Sequence, residues 1–231
     1  MIYAAILSSL LALVWVVPAA AQSSAPDAAA TCVGSDADSA SPEARESACL
    51  LELGDRATRK GNALLLKLDN GQTKAYRSNP EACQNDVADK CVTYRLVGYH
   101  PSAKRYLLLV AGYEGRECKL VSARDGKATT FLDVPHFAPD GSTFFVNGYD
   151  GSYDNWFGIG SVASNPPALV WEMGPNVHQG WNFVRWIDND QIALRDTAMS
   201  ESCPDGNCEA VLKRAADGWL LERVPRTSHT K

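Results

Sequence analysis

A degenerate motif that recurs three times is the feature that most constrains the fold of this chain. Each copy consists of an aromatic residue, a turn and a short run of β-prone residues, and the copies begin at Tyr99, Phe137 and Trp186. These positions lie 38 and 49 residues apart, near the ~40 to 45 residues that a four-stranded propeller blade occupies. The spacing therefore predicts repeated antiparallel units of four strands each.

Strand patterns separated by turn signals predict three such units, over residues 92 to 132, 135 to 173 and 183 to 224. A further hairpin is predicted over residues 63 to 76, where Asn70-Gly71 would supply the positive φ angles of a type I′ turn. The predicted fold class is all-β, with propeller-like four-stranded repeats and one short N-terminal helix. Closed propellers usually need ~4 to 8 blades, so an open or sandwich-like stack is the alternative.

The helix is predicted to begin at Ser41-Pro42-Glu43, which combines an N-cap serine, a proline at the first helical position and an acidic first turn. Gly54 would end it. Ala44, Ala48 and Leu51 fall on one helical face. We therefore expect that face to pack against the β domain.

The second copy of the motif, Phe137-Ala138-Pro139-Asp140-Gly141, resembles the repeat of WD40-like (TolB-type) periplasmic β-propellers, whose blades often begin with Phe-Ser-Pro-Asp-Gly. The other two units keep the aromatic residue and the turn without the Pro-Asp-Gly element. The resemblance implies a β-propeller, or a related antiparallel stack, that acts mainly through binding. It does not imply a particular partner.

The N-terminus has the pattern of an export signal. Residues 2 to 17 are almost wholly apolar, and Pro18 and a run of alanines precede Gln22, which predicts a signal peptide over residues 1 to 21. No Lys or Arg precedes the apolar run, so an uncleaved anchor is the alternative. Residues 22 to 40 are predicted to form a flexible leader and residues 41 to 231 one β-repeat domain. We expect a periplasmic or secreted protein without membrane attachment after signal cleavage.

Seven cysteines in an exported chain predict disulfides and one remaining thiol. The expected pairs each close a short stretch of chain: Cys32 with Cys49, Cys83 with Cys91, and Cys203 with Cys208. Cys118 would then be free on a strand, although other pairings are possible. Because no Cys-x-x-Cys pair occurs and no His lies near the cysteines, we expect no metal site.

Aromatic, Gly-rich loops are predicted between the second and third strands of the first two units. Such loops combine rigid aromatic surface with adaptable hydrogen bonding, and their Tyr and Trp rings can stack on sugars. The predicted ligand-binding residues belong to these loops and to the connection that precedes the third unit: Tyr113, Tyr149, Asp150, Tyr153, Asp154, Asn155, Trp156 and His178. In the alternative, the aromatic rings cover the sheet below.

Catalytic function is not predicted. Asp150 and Asp154 are candidates for the acid and base of a glycosidase, but one Gly-rich loop seldom holds two carboxylates at a fixed separation. No nucleophile, metal or phosphate-binding motif is present, so we expect no enzyme activity and no cofactor.

The charge pattern narrows the class of partner. The chain has 22 basic and 27 acidic residues and no basic block, which argues against nucleic acid. The sequence therefore predicts an exported, non-catalytic binding protein that presents an aromatic Gly-rich loop to a protein or glycan. The alternatives are a periplasmic inhibitor of a cell-wall hydrolase such as lysozyme and a glycan-cleaving enzyme.

Overall fold

The computed structural model describes residues 41–149, 155–173, 180–196, 203 and 207–224. The predicted signal peptide and leader lie outside these ranges. The described residues form four antiparallel sheets and a helix of 12 residues, so the predicted all-β fold class is confirmed.

The first sheet has three strands and follows the helix. The helix α1 spans Pro42–Leu53, and the strands are β1 (Ala57–Lys60), β2 (Ala63–Lys67) and β3 (Thr73–Arg77). A second, short helix, α2 (Pro80–Gln84), leads to the next sheet. Strand β1 and helix α2 were not predicted. Strand β1 has only four residues and α2 only about one helical turn, so neither shows a clear hydrophobic periodicity.

The other three sheets have four strands each, and consecutive strands are neighbours in every sheet. The second sheet contains β4 (Val92–His100), β5 (Arg105–Gly112), β6 (Arg116–Ser122) and β7 (Ala128–Phe131). The third contains β8 (His136–Phe137), β9 (Thr143–Tyr149), β10 (Asn155–Ser161) and β11 (Ala168–Met173). The fourth contains β12 (Trp181–Asp188), β13 (Gln191–Asp196), β14 (Cys208–Ala215) and β15 (Gly218–Arg223).

Neighbouring sheets pack face to face through apolar side chains that alternate along their central strands. On β5, Leu108 packs with the first sheet and Leu107 with the third. On β9, Phe144 packs with the second sheet and Phe145 with the fourth. Because both faces of these strands are buried, their sequences are continuously apolar.

The four sheets form an open, propeller-like arc. Each of the three core clusters joins two consecutive sheets, and none contains residues of both the first and the fourth sheet. The predicted four-stranded units are therefore present. In the part of the chain that the structure describes, they are arranged as an open stack.

The recurring motif packs one sheet against the next. Its three turns, at residues 101–104, 138–142 and 189–190, lie at one end of the sheets, which we call the motif end. The His100 ring lies 4.3 Å from the Phe137 ring, and Asp140 donates a backbone hydrogen bond to Oδ1 of Asn189 at 3.1 Å. Gly141 has a φ of +70°, and a Cβ there would lie 2.7 Å from Cε1 of His100. The Pro-Asp-Gly element thus serves the contact between units.

Helix α1 begins and ends where the sequence predicts, but a different face is buried. The Ser41 side chain accepts a hydrogen bond from the Ala44 N–H, and Gly54 ends the helix with a φ of 52°. The expected apolar face was wrong, because Leu51 is 85% exposed. The buried residues are Glu46 and Cys49. The hydrogen bonds of Glu46 and the disulfide bond of Cys49 determine which face of the helix is buried.

The turn at Asn70-Gly71 also differs from the prediction. Only Gly71 has a positive φ, of 83°, so the turn is not type I′. The Gly71 N–H donates to the Leu68 carbonyl at 2.9 Å, which gives a three-residue loop with a left-handed glycine at its end. Oδ1 of Asn70 accepts a hydrogen bond from the Gln72 N–H at 2.9 Å, a side-chain bond typical of Asn in turns.

Two of the three expected disulfides form between described residues, Cys83–Cys91 and Cys203–Cys208. Cys49 is also disulfide-bonded and fully buried. Cys32, its expected partner, lies outside the described residues. Cys118 is a buried free thiol.

The Cys118 thiol is expected to be unreactive in the native protein. Burial raises its pKa to about 12, and the thiolate is the reactive form of cysteine. The unreduced protein should react with a maleimide at pH 8 only after unfolding in guanidinium, and then at a single thiol per chain. Rapid labelling of the native protein, measured by mass spectrometry, would contradict the buried position.

Candidate functional site

The loops predicted to bind a ligand begin at the end of the sheets opposite the motif end. We call it the loop end; it contains residues 113–115 between β5 and β6, residues 132–135 between β7 and β8, and the paired strand ends Tyr149 and Asn155. Of the eight predicted ligand-binding residues, four belong to the described part of the chain. The other four lie outside it: Asp150, Tyr153, Asp154 and His178.

Strands β9 and β10 form a hairpin with an unbroken register from the Thr143 and Ser161 pair to the Tyr149 and Asn155 pair. Trp156, next to the tip, is half-buried and packs against the core between the second and third sheets. A Cβ on Gly148 would lie 2.7 Å from the Leu132 Cβ, so this strand approaches the neighbouring connection closely. The hairpin therefore has a rigid base, and Trp156 contributes to it.

Tyr113 is the second candidate whose side-chain environment is described. It is 53% exposed, in a tight turn closed by a hydrogen bond of 2.8 Å from the Gly112 N–H to the Gly115 carbonyl. An exposed aromatic ring therefore lies at the loop end, on a different sheet from the β9–β10 hairpin.

A cavity of about 580 Å³ lies on the inner side of the arc, a volume within the range of ~300 to 1,000 Å³ typical of small-molecule sites. It is bordered by the first strands of the three four-stranded sheets, by the first turns of α1, by residues 133–135, and by Leu109 of β5 and Arg116 of β6. The residues with polar or charged side chains in its wall are Arg45, Glu46, Arg95, Arg116, Asp133 and His136. The remaining wall is apolar, and it includes Leu96, Phe137 and Phe183.

Three arginines from three different elements line this cavity. Arg95 of β4 pairs with Glu43. Arg45 of α1 is half-buried and Arg116 at the start of β6 is exposed, and neither forms an ion pair with another described residue. Two guanidinium groups in the wall therefore remain available to an anionic ligand.

Glu46, although it lines the same cavity, is engaged within the protein through one carboxylate oxygen. Its Oε1 accepts a hydrogen bond from the Leu96 N–H at 2.8 Å and another from Nη2 of Arg59 at 2.5 Å. Nη2 of Arg59 also donates to the Tyr94 carbonyl at 2.7 Å. Because β4 is an edge strand, its outward N–H groups need partners, and Glu46 fixes α1 against that edge.

His136 brings a titratable group to the cavity. Its ring stacks on Phe183, with 3.9 Å between the ring centroids and an interplanar angle of 10°. Burial lowers the pKa of His136 from 6.5, and the nearby Asp133 carboxylate opposes this shift. The imidazole is therefore neutral at pH 7, and it can accept one hydrogen bond and donate another.

The cavity residues were not predicted from the sequence. His136 was one of four histidines without ligand spacing, and the three arginines are separated by long stretches of chain. The available signal was the position of residues 95, 136 and 183 on the first strand of each unit, because first strands border the axis in a propeller-like arrangement.

Comparisons with known proteins identify no family for this chain. No protein-family model matches the sequence, and no curated protein matches it significantly. One similar solved structure is that of a Bacteroides uniformis protein whose proposed activity is that of a 6-phosphogluconolactonase. The match has a TM-score of 0.32 and 14% identity, and it covers 73% of this chain and 68% of that chain. Similarity at this level transfers no activity to this chain.

The prediction that this chain is not an enzyme is contradicted by that comparison, because the similar protein is described as an enzyme. We therefore withdraw it. The resemblance to WD40-like repeats is supported only at the level of propeller-like, four-stranded antiparallel sheets.

The described residues also contain features relevant to cellular location. They include two disulfides, which persist mainly in oxidising compartments. No helix among them is long and apolar enough to span a bilayer.

Proposed function

We propose that this chain is a periplasmic or secreted binding protein that presents the aromatic loop between β9 and β10 to a protein or glycan. The observation that carries the proposal is the geometry of the loop end. A fully paired hairpin with a half-buried Trp156 at its base holds the loop. Tyr113 exposes a second aromatic ring at the same end.

Rigid support of this kind favours recognition, because a loop on a packed scaffold loses less conformational entropy on binding. Tyrosine adds contact area and a hydroxyl group with few rotatable bonds. The motif turns at the other end, although mostly exposed, form contacts between neighbouring sheets. This division of roles supports the loop end as the binding end.

The proposed location rests on the disulfides together with the signal-peptide pattern of residues 1 to 21. We further infer that the repeats are of the WD40-like type. The packing of the Pro-Asp-Gly turn against His100 and Asn189 supports this inference.

The binding proposal is tested with the oxidised chain of residues 22 to 231, immobilised and offered a periplasmic extract and, separately, a glycan array. The test variant is Tyr149→Ala with Tyr153→Ala, which removes two loop rings and leaves Trp156 in the hairpin base. The control variant is Val170→Ala with Leu220→Ala, because these side chains are 61% and 55% exposed on other strands.

We expect the wild type and the control to retain the same protein or glycan, and the test variant to lose at least tenfold in affinity. A retained lysozyme would identify an inhibitor. Equal retention by all three proteins would contradict the proposal, as would retention by none of them from either source.

A further inference from the structure

We infer that the cavity on the inner side of the arc binds a small organic anion that has an apolar body. The inference is independent of the aromatic loop, because the cavity is formed by described residues of α1, β4, β5, β6, β8 and β12. Its volume of about 580 Å³ fits one small molecule rather than a protein segment.

The charges in the cavity wall favour an anion. The whole chain has a formal net charge of −5, yet three arginines line this cavity. Three carboxylates lie in or near the cavity wall: Asp133, Glu46 and Glu43. Glu46 already bonds to Arg59 and to the Leu96 N–H, and Glu43 is paired with Arg95. Arg45 and Arg116 remain without an ion pair among the described residues.

Guanidinium groups bind carboxylate, sulfonate and phosphate oxygens through paired N–H donors. The half-buried Arg45 faces less water than a surface arginine does, so its interaction with an anion is screened less by solvent. The anionic group is therefore placed between Arg45 and Arg116.

The apolar residues of the cavity wall favour a ligand with an apolar body. Leu96 is only 1% exposed, and Val97, Leu109, Val134 and Phe137 complete an apolar surface. The stacked pair of His136 and Phe183 adds a flat face, against which a planar group can stack. An inorganic ion alone would leave this surface hydrated, so the favoured ligand is an aromatic or branched aliphatic acid.

The test uses the fluorescent probe 1-anilinonaphthalene-8-sulfonate, which has an aromatic body and one anionic group. N-phenyl-1-naphthylamine, with the same ring systems but no charge, is the matched probe. The test variant is Arg45→Gln with Arg116→Gln. The control variant is Arg77→Gln with Arg223→Gln, which removes the same charge from exposed positions on β3 and β15.

We expect the native protein to bind one equivalent of the sulfonate probe, and the uncharged probe at least tenfold more weakly. The test variant should lose at least tenfold in affinity, whereas the control should remain within twofold of the wild type. Near-ultraviolet circular dichroism verifies that each variant is folded. Equal loss in both variants, equal affinity for both probes, or several equivalents of probe per chain would overturn the inference.

Competition then identifies the anionic group. Benzoate, octanoate and phenyl phosphate are titrated against the bound probe. Displacement by the carboxylates or by the phosphate supports the corresponding ligand class, and failure of all three at millimolar concentration would also overturn the inference. Because Tyr149 and Tyr153 are unchanged here, this result is separate from the result of the loop experiment.

Discussion

Replacing Gly160 with alanine is expected to destabilise the protein by about 3 kcal/mol, at the upper end of the usual cost of overpacking a core. Gly160 of β10 is the register partner of Phe144 on β9. A Cβ at position 160 would lie 2.0 Å from Cζ of the Phe144 ring. That ring is fully buried and meets Phe131 edge-on at 5.2 Å, so it has no free space to move into.

Urea unfolding of three variants tests this expectation. Gly115→Ala is the control, because a Cβ there would meet nothing within 4 Å, and it should change the free energy of unfolding little. Adding Phe144→Leu to Gly160→Ala should recover part of the loss, since the smaller side chain removes the clash. A Gly160→Ala protein as stable as the wild type would contradict the packing between the second and third sheets.

Replacing Glu46 with alanine is expected to cost about 3 kcal/mol in unfolding free energy, because it breaks a largely buried ion pair. The substitution removes the acceptor of both the Leu96 N–H and the Arg59 guanidinium. The side chains of Glu46 and Arg59 are only 11% and 24% exposed, so water restores few of the lost bonds.

Two further substitutions on α1 separate the effect of the lost charge from the effect of the lost hydrogen-bond acceptor. Glu46→Gln keeps an acceptor oxygen and removes the charge, so it should destabilise less than Glu46→Ala. Glu43→Gln removes the same charge from an exposed pair with Arg95 and should change stability little. Urea unfolding in which all three variants match the wild type would show that α1 is not fixed to β4 through Glu46.

Local signals in the sequence were sufficient for most of the secondary structure. Turn residues separate strands whose apolar runs are nearly continuous, so the four strands of each unit could be placed from the sequence. The N-cap at Ser41 and the glycine at position 54 fixed the ends of α1. Short loops likewise brought Cys83 near Cys91 and Cys203 near Cys208.

Features that depend on tertiary contacts could not be predicted in this way. The buried face of α1 follows from bonds of Glu46 to residues of β1 and β4, which helical spacing does not encode. The cavity arises only when α1 and the first strands of three sheets meet, so Arg45 and His136 have no common motif. The loop end could be anticipated, since equivalent loops of stacked meanders lie on one side.

Binding of ligands at the loop end can be tested by blocking one end of the sheets at a time. Glu114→Cys places a thiol in the turn at the loop end, and Ala216→Cys places one in the exposed turn between β14 and β15 at the motif end. Each is coupled to a long polyethylene glycol maleimide, while the buried Cys118 stays unmodified. Retention of the partner captured by the wild type is then measured. Modification at position 114 is expected to abolish retention, and modification at position 216 to preserve it. The reverse pattern would show that the partner does not bind at the loop end.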